Sequence, residues 1–373
     1  MRRRISLLPQ GKRESAELMA LRMEVREFVA AQLEDGHFTP DVDSWLGGHD
    51  PAFTKALAAR GWLGMTIPVE YGGHGRGFGE RFVVTEELLA AGAPVAAHWI
   101  ADRQAAPSLL KYGTEAQKRR YLPGIAAGEV YWAIGMSEPD TGSDLASVRT
   151  RADRAEGGWR ITGTKVWTSG AHHADAFFAL ARTEPPDPEH RHAGLSQFIV
   201  ELSSPGVEIR PILALDGSHH FNEVRLDSVF VPDDLVLGAI GDGWTQVTSE
   251  LSYERSGPER FLSTYRLLAG LTRDADAAVG ACVARLAGLH RMSSAVAAGL
   301  ARHEDVSTAA AVVKVLGTTF EGDVADLADR RTAPGDELAA LVRRAVTHRP
   351  GFTLRGGTNE VLRGVIAREL GLR

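Results

Sequence analysis

Trp132-Ala-Ile-Gly-Met-Ser-Glu-Pro-Asp-Thr-Gly-Ser-Asp144 is a short apolar segment that runs into a turn. Residues 134–136 can be extended and half buried, while Pro139 and Gly142 force a bend that brings several backbone N–H groups to one side. Ser137 and Ser143 carry hydroxyls small enough to approach a ring heteroatom or a phosphate. A strand ending this way suits a flat, anionic ligand. An ordinary strand and turn rich in Gly, Pro and Ser has the same local signature.

Downstream the apolar period is two, over residues 131–136, 159–167, 176–181, 198–202, 207–212 and 221–231, with Gly157-Gly158 as a hairpin turn. A small antiparallel sheet or barrel is the expected packing. Upstream the period is helical. Leu18, Leu21, Val25, Phe28 and Val29 mark a first helix, followed by residues 51–60, 80–91, 96–112 and 115–121, the last closed by Pro123. Gly75, Gly77 and Gly79 miss the G-x-G-x-x-G spacing and follow no apolar strand, so they read as a turn. Beyond the β region, residues 244–271 return to helical spacing with a kink at Pro258. Two amphipathic helices are marked by Val283, Leu286, Leu289 and Met292, and by Val313, Leu316, Phe320, Val324 and Leu327, the latter with Ser307 as its cap. Thr358 or Asn359 opens a final helix. The expected class is α+β: an N-terminal helical domain (1–128), a middle antiparallel β-barrel domain (129–238) and a C-terminal helical bundle (239–373).

Composition narrows the function classes. A chain of 373 residues with 44% hydrophobic side chains supplies a sizeable interior, and 42 basic against 48 acidic residues leaves a net charge of −6, without the footprint of a nucleic-acid binder. The basic run Arg2 to Arg4 precedes an apolar stretch that stops at Pro9, too short for a signal or membrane segment. Cys282 is the single cysteine, which rules out an intramolecular disulfide and makes a reducing, cytoplasmic location the default. No metal is expected.

The 132–144 stretch resembles the flavin-contacting signature of the acyl-CoA dehydrogenase family, aromatic-x-x-Thr-Glu-Pro-x-x-Gly-Ser-Asp. Ser137 stands for the threonine and Ile134 for the aromatic residue, while Glu138, Pro139, Gly142, Ser143 and Asp144 match outright. Residues 159–170 resemble the family's second flavin motif, with Trp167 and Ser169 at its ring-flanking positions. Phe221-Asn-Glu-Val, Val231-Pro-Asp-Asp and Gly241-Asp-Gly-Trp extend the likeness into the second helical block. The resemblance implies FAD held by Ile134, Met136, Ser137, Gly142, Ser143, Trp167, Thr168 and Ser169. Thr358 and Glu360 would meet the cofactor at the start of the last helix, Glu360 facing a ribose or adenine donor.

The family's reaction, as the resemblance implies it, removes a proton beside a thioester carbonyl and passes a hydride from the next carbon to flavin N5. Many members take the base from Tyr-Glu-Gly-Thr, but here Arg355-Gly356-Gly357-Thr358 lacks that carboxylate. A minority place it on the helix after the sheet, where Ser252-Tyr253-Glu254-Arg255 falls. Glu254 lies three residues beyond Leu251 and seven beyond Val247, on the apolar side of a helix, where burial raises a carboxyl pKa toward proton abstraction. A structural ion pair is the alternative reading of Glu254. Gly356 keeps the backbone N–H that the family aims at the thioester oxygen. Ser143, Tyr253 and Arg255 are implied substrate contacts, as are Trp99 and Asp102, which stand with His98 and Arg103 at the far end of the acyl tunnel. These are bulky, polar residues that suit a short, branched or functionalised acyl group, or else a surface-facing set.

The resemblance also implies an electron-transferring flavoprotein or similar acceptor, with no nucleic-acid or membrane partner. Residues 271–331 lack the family's Arg-x-x-Phe-Gly and Gly-Gly-x-Gly segments that reach a neighbouring FAD. A homo-oligomer is the default, and a heteromer with a related chain is the alternative. Two other functions fit the same motifs: a companion subunit that is not catalytic alone, and an oxygen-using monooxygenase or nitroalkane-oxidase type of flavoenzyme.

Overall fold

The computed structural model describes residues 14–372 apart from 256 and 275, and the backbone but not the side chains of 251–254. The basic run at Arg2 to Arg4 therefore lies outside the described residues, as do the side chains of Tyr253 and Glu254. The first helices are α1 (Ala16–Glu34), α2 (Ser44–Gly47), α3 (Pro51–Ala59), α4 (Phe78–Ala90), α5 (Ala96–Ile100), α6 (Ala106–Tyr112) and α7 (Glu115–Ala126). The strands are β1 (Trp132–Gly135), β2 (Arg151–Ala155), β3 (Gly158–Lys165), β4 (Ala176–Arg182), β5 (Leu195–Glu201), β6 (Val207–Leu213), β7 (His219–Pro232) and β8 (Val236–Leu237). Then come α8 (Gly243–Glu254), α9 (Tyr265–Leu271), α10 (Ala277–Ala301), α11 (Ser307–Asp329), α12 (Ala339–Phe352) and α13 (Asn359–Glu369). The α+β class and its helix–sheet–helix order stand as the sequence implied.

Local chemistry starts many of these helices. Ser15 Oγ accepts from Leu18 N, and Asp50 caps α3 with Pro51 at its first position. Thr114 and Gln117 form a reciprocal capping box on α7. Pro123 does not close that helix, which runs on to Ala126 because Leu122, Ile125 and Ala126 are all buried. Pro258 does not kink one long helix but opens a 3-10 turn, Pro258–Arg260, between α8 and α9. Ser307 is the first residue inside α11 rather than its cap, its N–H held by Asp305. Leu316 and Val283, placed on apolar faces by their spacing, are largely exposed.

Contacts group the chain into two compact units: one built from the chain up to His49, Arg76–Val95 and Ser252 onward, the other from Asp50–Gly75 and Ala96–Leu251. In the second unit the strands form one mostly antiparallel sheet of order β6-β7-β3-β2-β4-β5-β8, with β1 added in parallel beside β4. β4 is buried along its whole length and β5 along nearly all of it, whereas β6 is mostly exposed or half exposed. The two ends of the path, β6 and β8, are not paired with each other, so the sheet stays open where a barrel was expected. Pairing of β3 with β7 shifts between Ile161 and Gly163, opposite Ser228 at φ 52°, a bulge that bends the long strand. The core beneath carries Trp132, Phe177, Phe178 and Phe198 with Tyr121 and Leu122 from α7. The helical unit buries Leu268, Val313, Phe320 and Val324 along α9 and α11. Among the described residues no helix is long and apolar enough to cross a membrane.

Candidate active site

β1 delivers the first motif. Ile134 pairs with Phe178 and is half buried, and Met136 is half buried against Val148, Leu180, Leu195 and Val247. The chain then folds back on itself, Glu138 N–H donating to Thr141 O at 2.7 Å and Thr141 N–H returning to Glu138 O at 3.0 Å. The Glu138 carboxylate accepts from Arg149 N (2.6 Å), Thr150 N (2.9 Å) and Lys165 Nζ (2.8 Å). Burial alone would favour its protonated form, but the ammonium beside it holds it below the usual carboxylate range. Lys165, fully buried, is pushed down to about 8 and remains charged at neutral pH. Ser137 is half buried just before this turn, while Gly142 and Ser143 are exposed, with open space where a Gly142 side chain would project.

The second motif follows β3. Trp167 sits at φ 59°, a left-handed conformation costing about 1–3 kcal/mol for a bulky residue, yet the residue is 57% exposed and its ring touches Phe221 edge-on at 5.7 Å. Thr168 is buried and exchanges backbone bonds with Asn222, whose Nδ2 adds a third at 3.0 Å. The Thr168 hydroxyl is buried without a partner among the described residues, and Ser169 is half buried beside it. An exposed, strained indole next to an unsatisfied hydroxyl is a costly arrangement in a closed protein. It fits a flat ring with hydrogen-bonding heteroatoms, and so fits the isoalloxazine of FAD.

The far-end set does not face outward: His98, Trp99, Asp102 and Arg103 are all buried. His98 Nδ1 meets Thr54 Oγ1 at 2.9 Å, and burial pushes the imidazole down to about 4. Asp102 Oδ1 accepts from Gly64 N at 2.9 Å, and the Arg103 guanidinium lies 4.6 Å from the Trp99 ring centre. The segment Ala101–Ala105 winds as a π-helix between α5 and α6, a widening that sequence periodicity does not reveal.

α8 begins in the sheet-bearing unit, where Val247 and Glu250 are buried, and ends at Glu254, in the residues of the helical unit. Arg255 Nε donates to the carbonyl oxygen of Gly356 at 3.0 Å. Gly356 and Gly357 both have positive φ, 68° and 84°, so a side chain at Gly356 would be strained in this loop. Thr358 caps α13 by accepting from Val361 N, and Glu360 is exposed in the first turn, its carboxyl held below the usual range by the helix-end N–H and Thr358. Arg355 reaches both carboxylate oxygens of Asp43, at 2.8 and 2.7 Å, over the face of Trp45. Glu321 lies fully buried in the same unit, its Oε1 accepting from Ser263 N at 2.8 Å, and burial pushes it up to about 7. Sequence reading missed this group and Lys165, since nothing local marks a charged residue as buried.

A motif-bearing sheet flanked in sequence by helices, with two turns fitted to a flavin, defines the flavoprotein class to which the comparisons point. Residues 15–129 match the model for the acyl-CoA dehydrogenase N-terminal domain and residues 133–229 that for the middle domain. Acyl-CoA dehydrogenase FadE29 of Mycobacterium tuberculosis is 34% identical over 373 residues, covering 94% of this chain and 95% of its own. FadE34 of the same organism is 45% identical over 204 residues, which are 54% of this chain and only 28% of its own length. Among solved structures, the Tcur3481-Tcur3483 steroid ACAD shares 31% identity over 99% of both chains with a TM-score of 0.84. The ChsE4-ChsE5 complex from M. tuberculosis shares 28% identity over 98% of this chain and 100% of its own, with a TM-score of 0.82. The chain belongs to the acyl-CoA dehydrogenase family.

Proposed function

We propose that this chain carries out FAD-dependent α,β-dehydrogenation of an acyl thioester. The observation that carries the reading is the exposed, left-handed Trp167 beside the unpartnered Thr168 hydroxyl, tied through the sheet to the Ser137 turn. FAD, when bound, supplies the two-electron acceptor. Ile134, Met136, Ser137, Gly142, Ser143, Trp167, Thr168 and Ser169 hold it, with Thr358 and Glu360 contributing from the start of α13. Glu254 removes the proton beside the carbonyl, and the Gly356 N–H donates to the thioester oxygen. Arg255 Nε holds the Gly356 carbonyl, in the peptide that follows that N–H. One such donor is typically worth about 3–4 kcal/mol to the transition state. Ser143, Tyr253, Trp99 and Asp102 complete the substrate side, within domains bounded at 128 and 238.

The substrate we favour is a bulky, functionalised acyl-CoA. The steroid named for the Tcur3481-Tcur3483 relative supports that choice over a plain long alkyl chain. Electrons would leave to an electron-transferring flavoprotein or a similar acceptor in the cytoplasm. A second reading has its own support: glycine replaces the base at Gly356, and the ChsE4-ChsE5 relative was solved as a complex of two named partners. In that reading a related chain completes the flavin site.

The test is anaerobic. The purified chain should be yellow and should bleach on adding a steroid-type acyl-CoA. Colourless protein that gains flavin only with a related chain supports the companion reading, and yellow protein that no acyl thioester bleaches sinks the dehydrogenase.

A further inference from the structure

Lys165 is an odd residue for its place. It lies in β3 opposite Val224 with no exposed surface, where a strand normally carries a branched apolar side chain. Stability alone does not require it, because a buried ion pair can usually be exchanged for apolar residues without loss. Its two recorded hydrogen bonds go to Met136 O (3.1 Å) and Glu138 Oε1 (2.8 Å), the residues on either side of Ser137. The next residue in the chain, Val166, just past β3, donates its N–H to Ser137 O at 2.9 Å. Glu138 in turn clamps Arg149 N and Thr150 N. Ser137 is thus gripped at its own carbonyl and at both neighbours by a dipeptide that leads directly into Trp167 and Thr168. The chain makes room for this: a Cβ on Gly135 would meet the Phe177 ring at 2.4 Å and Lys165 Cγ at 3.1 Å.

We infer that Lys165 is a positioning residue that locks the two cofactor-facing turns, 136–141 and 166–169, into one register. The inference rests on reading those turns as the flavin site. Without the ammonium, the Val166–Ser137 bond is the remaining hydrogen bond between the turns among the described residues, and their hydroxyls no longer meet a rigid ring together.

The experiment uses the full chain in two variants, Glu138→Gln and the double Glu138→Gln/Lys165→Met. The double variant removes both buried charges, which avoids leaving a lone carboxylate inside. FAD affinity is read by fluorescence quenching, beside the flavin's visible band shape, its midpoint potential and the melting temperature of the apoprotein. Glu138→Gln, which keeps the Lys165–Met136 bond, should retain FAD. The double variant should melt within a few degrees of the parent but bind FAD weaker by about tenfold or more, with an altered band shape. Parental affinity and spectrum in the double variant overturn the proposal. So does a double variant that cannot fold while Glu138→Gln folds, since Lys165 is then a structural post. A parent chain with no affinity for FAD fails differently, sinking the flavin reading itself.

Discussion

At the scale of single residues, the chain separates groups poised for chemistry from groups that only titrate. Glu254→Gln should leave FAD bound and slow flavin reduction by about 10²-fold or more, the usual cost of a lost general base; stopped-flow bleaching at unchanged rate would remove Glu254 from the mechanism. His98 and Glu321 should shape stability instead. The folded state keeps His98 neutral down to about pH 4 while an unfolded imidazole protonates near 6.5, so the unfolded chain binds more protons between these values. Stability should therefore fall as pH drops through that window, by about 3 kcal/mol at its lower end, and His98→Gln should flatten the acid limb of melting temperature against pH. Glu321 has the opposite sign. Its carboxyl stays protonated to about 7 in the fold against 4.5 when exposed, so stability is full below pH 4.5 and is lost as pH rises through 7. Glu321→Gln, whose amide oxygen still accepts from Ser263 N, should raise the melting temperature at pH 8 and leave it unmoved at pH 4.5.

At the scale of elements, legibility followed the range of the forces. Thr358 was readable as a helix start because its hydroxyl serves an N–H three residues away, and Thr358→Ala should cost about 1 kcal/mol of stability, measured by chemical denaturation. Strands β3, β6 and β7 were legible from their period of two, and β4 as a short continuous apolar run. β2 was not, since Arg151-Ala-Asp-Arg-Ala carries one buried side chain, Ala152. α12 also went unread, because Pro350 and Gly351 in its last turn argue against a helix that the burial of Val342, Ala345 and Phe352 sustains. Pro123 misled for the same reason: three buried neighbours outweigh one missing hydrogen bond.

At the scale of the whole molecule, the open question that experiment can close is how many chains complete one flavin site. We expect an assembly of more than one chain by light scattering, with one FAD per chain if the protein is self-sufficient. Half that occupancy, restored by co-expression with a related chain, would mark a heteromeric enzyme. The chain matches FadE29 almost end to end, so family membership does not hang on one motif. Two motifs of about a dozen residues each nevertheless carried most of the functional argument, because turns that present N–H groups and hydroxyls to a ligand are built from adjacent residues.

The sequence alone determined the helix–sheet–helix order, many of the helix starts and the two turns that resemble flavin motifs, all of which depend on side chains within a few residues of one another. Only the tertiary structure decided that Lys165, 27 positions from Glu138, bonds the residues on both sides of Ser137, and that Arg355 finds Asp43 across 312 positions. It alone turned His98, Trp99, Asp102 and Arg103 inward. The reason is physical: hydrogen-bonding and capping rules act along the chain, whereas desolvation belongs to whatever surrounds a group after folding, and that shell is gathered from distant parts of the chain.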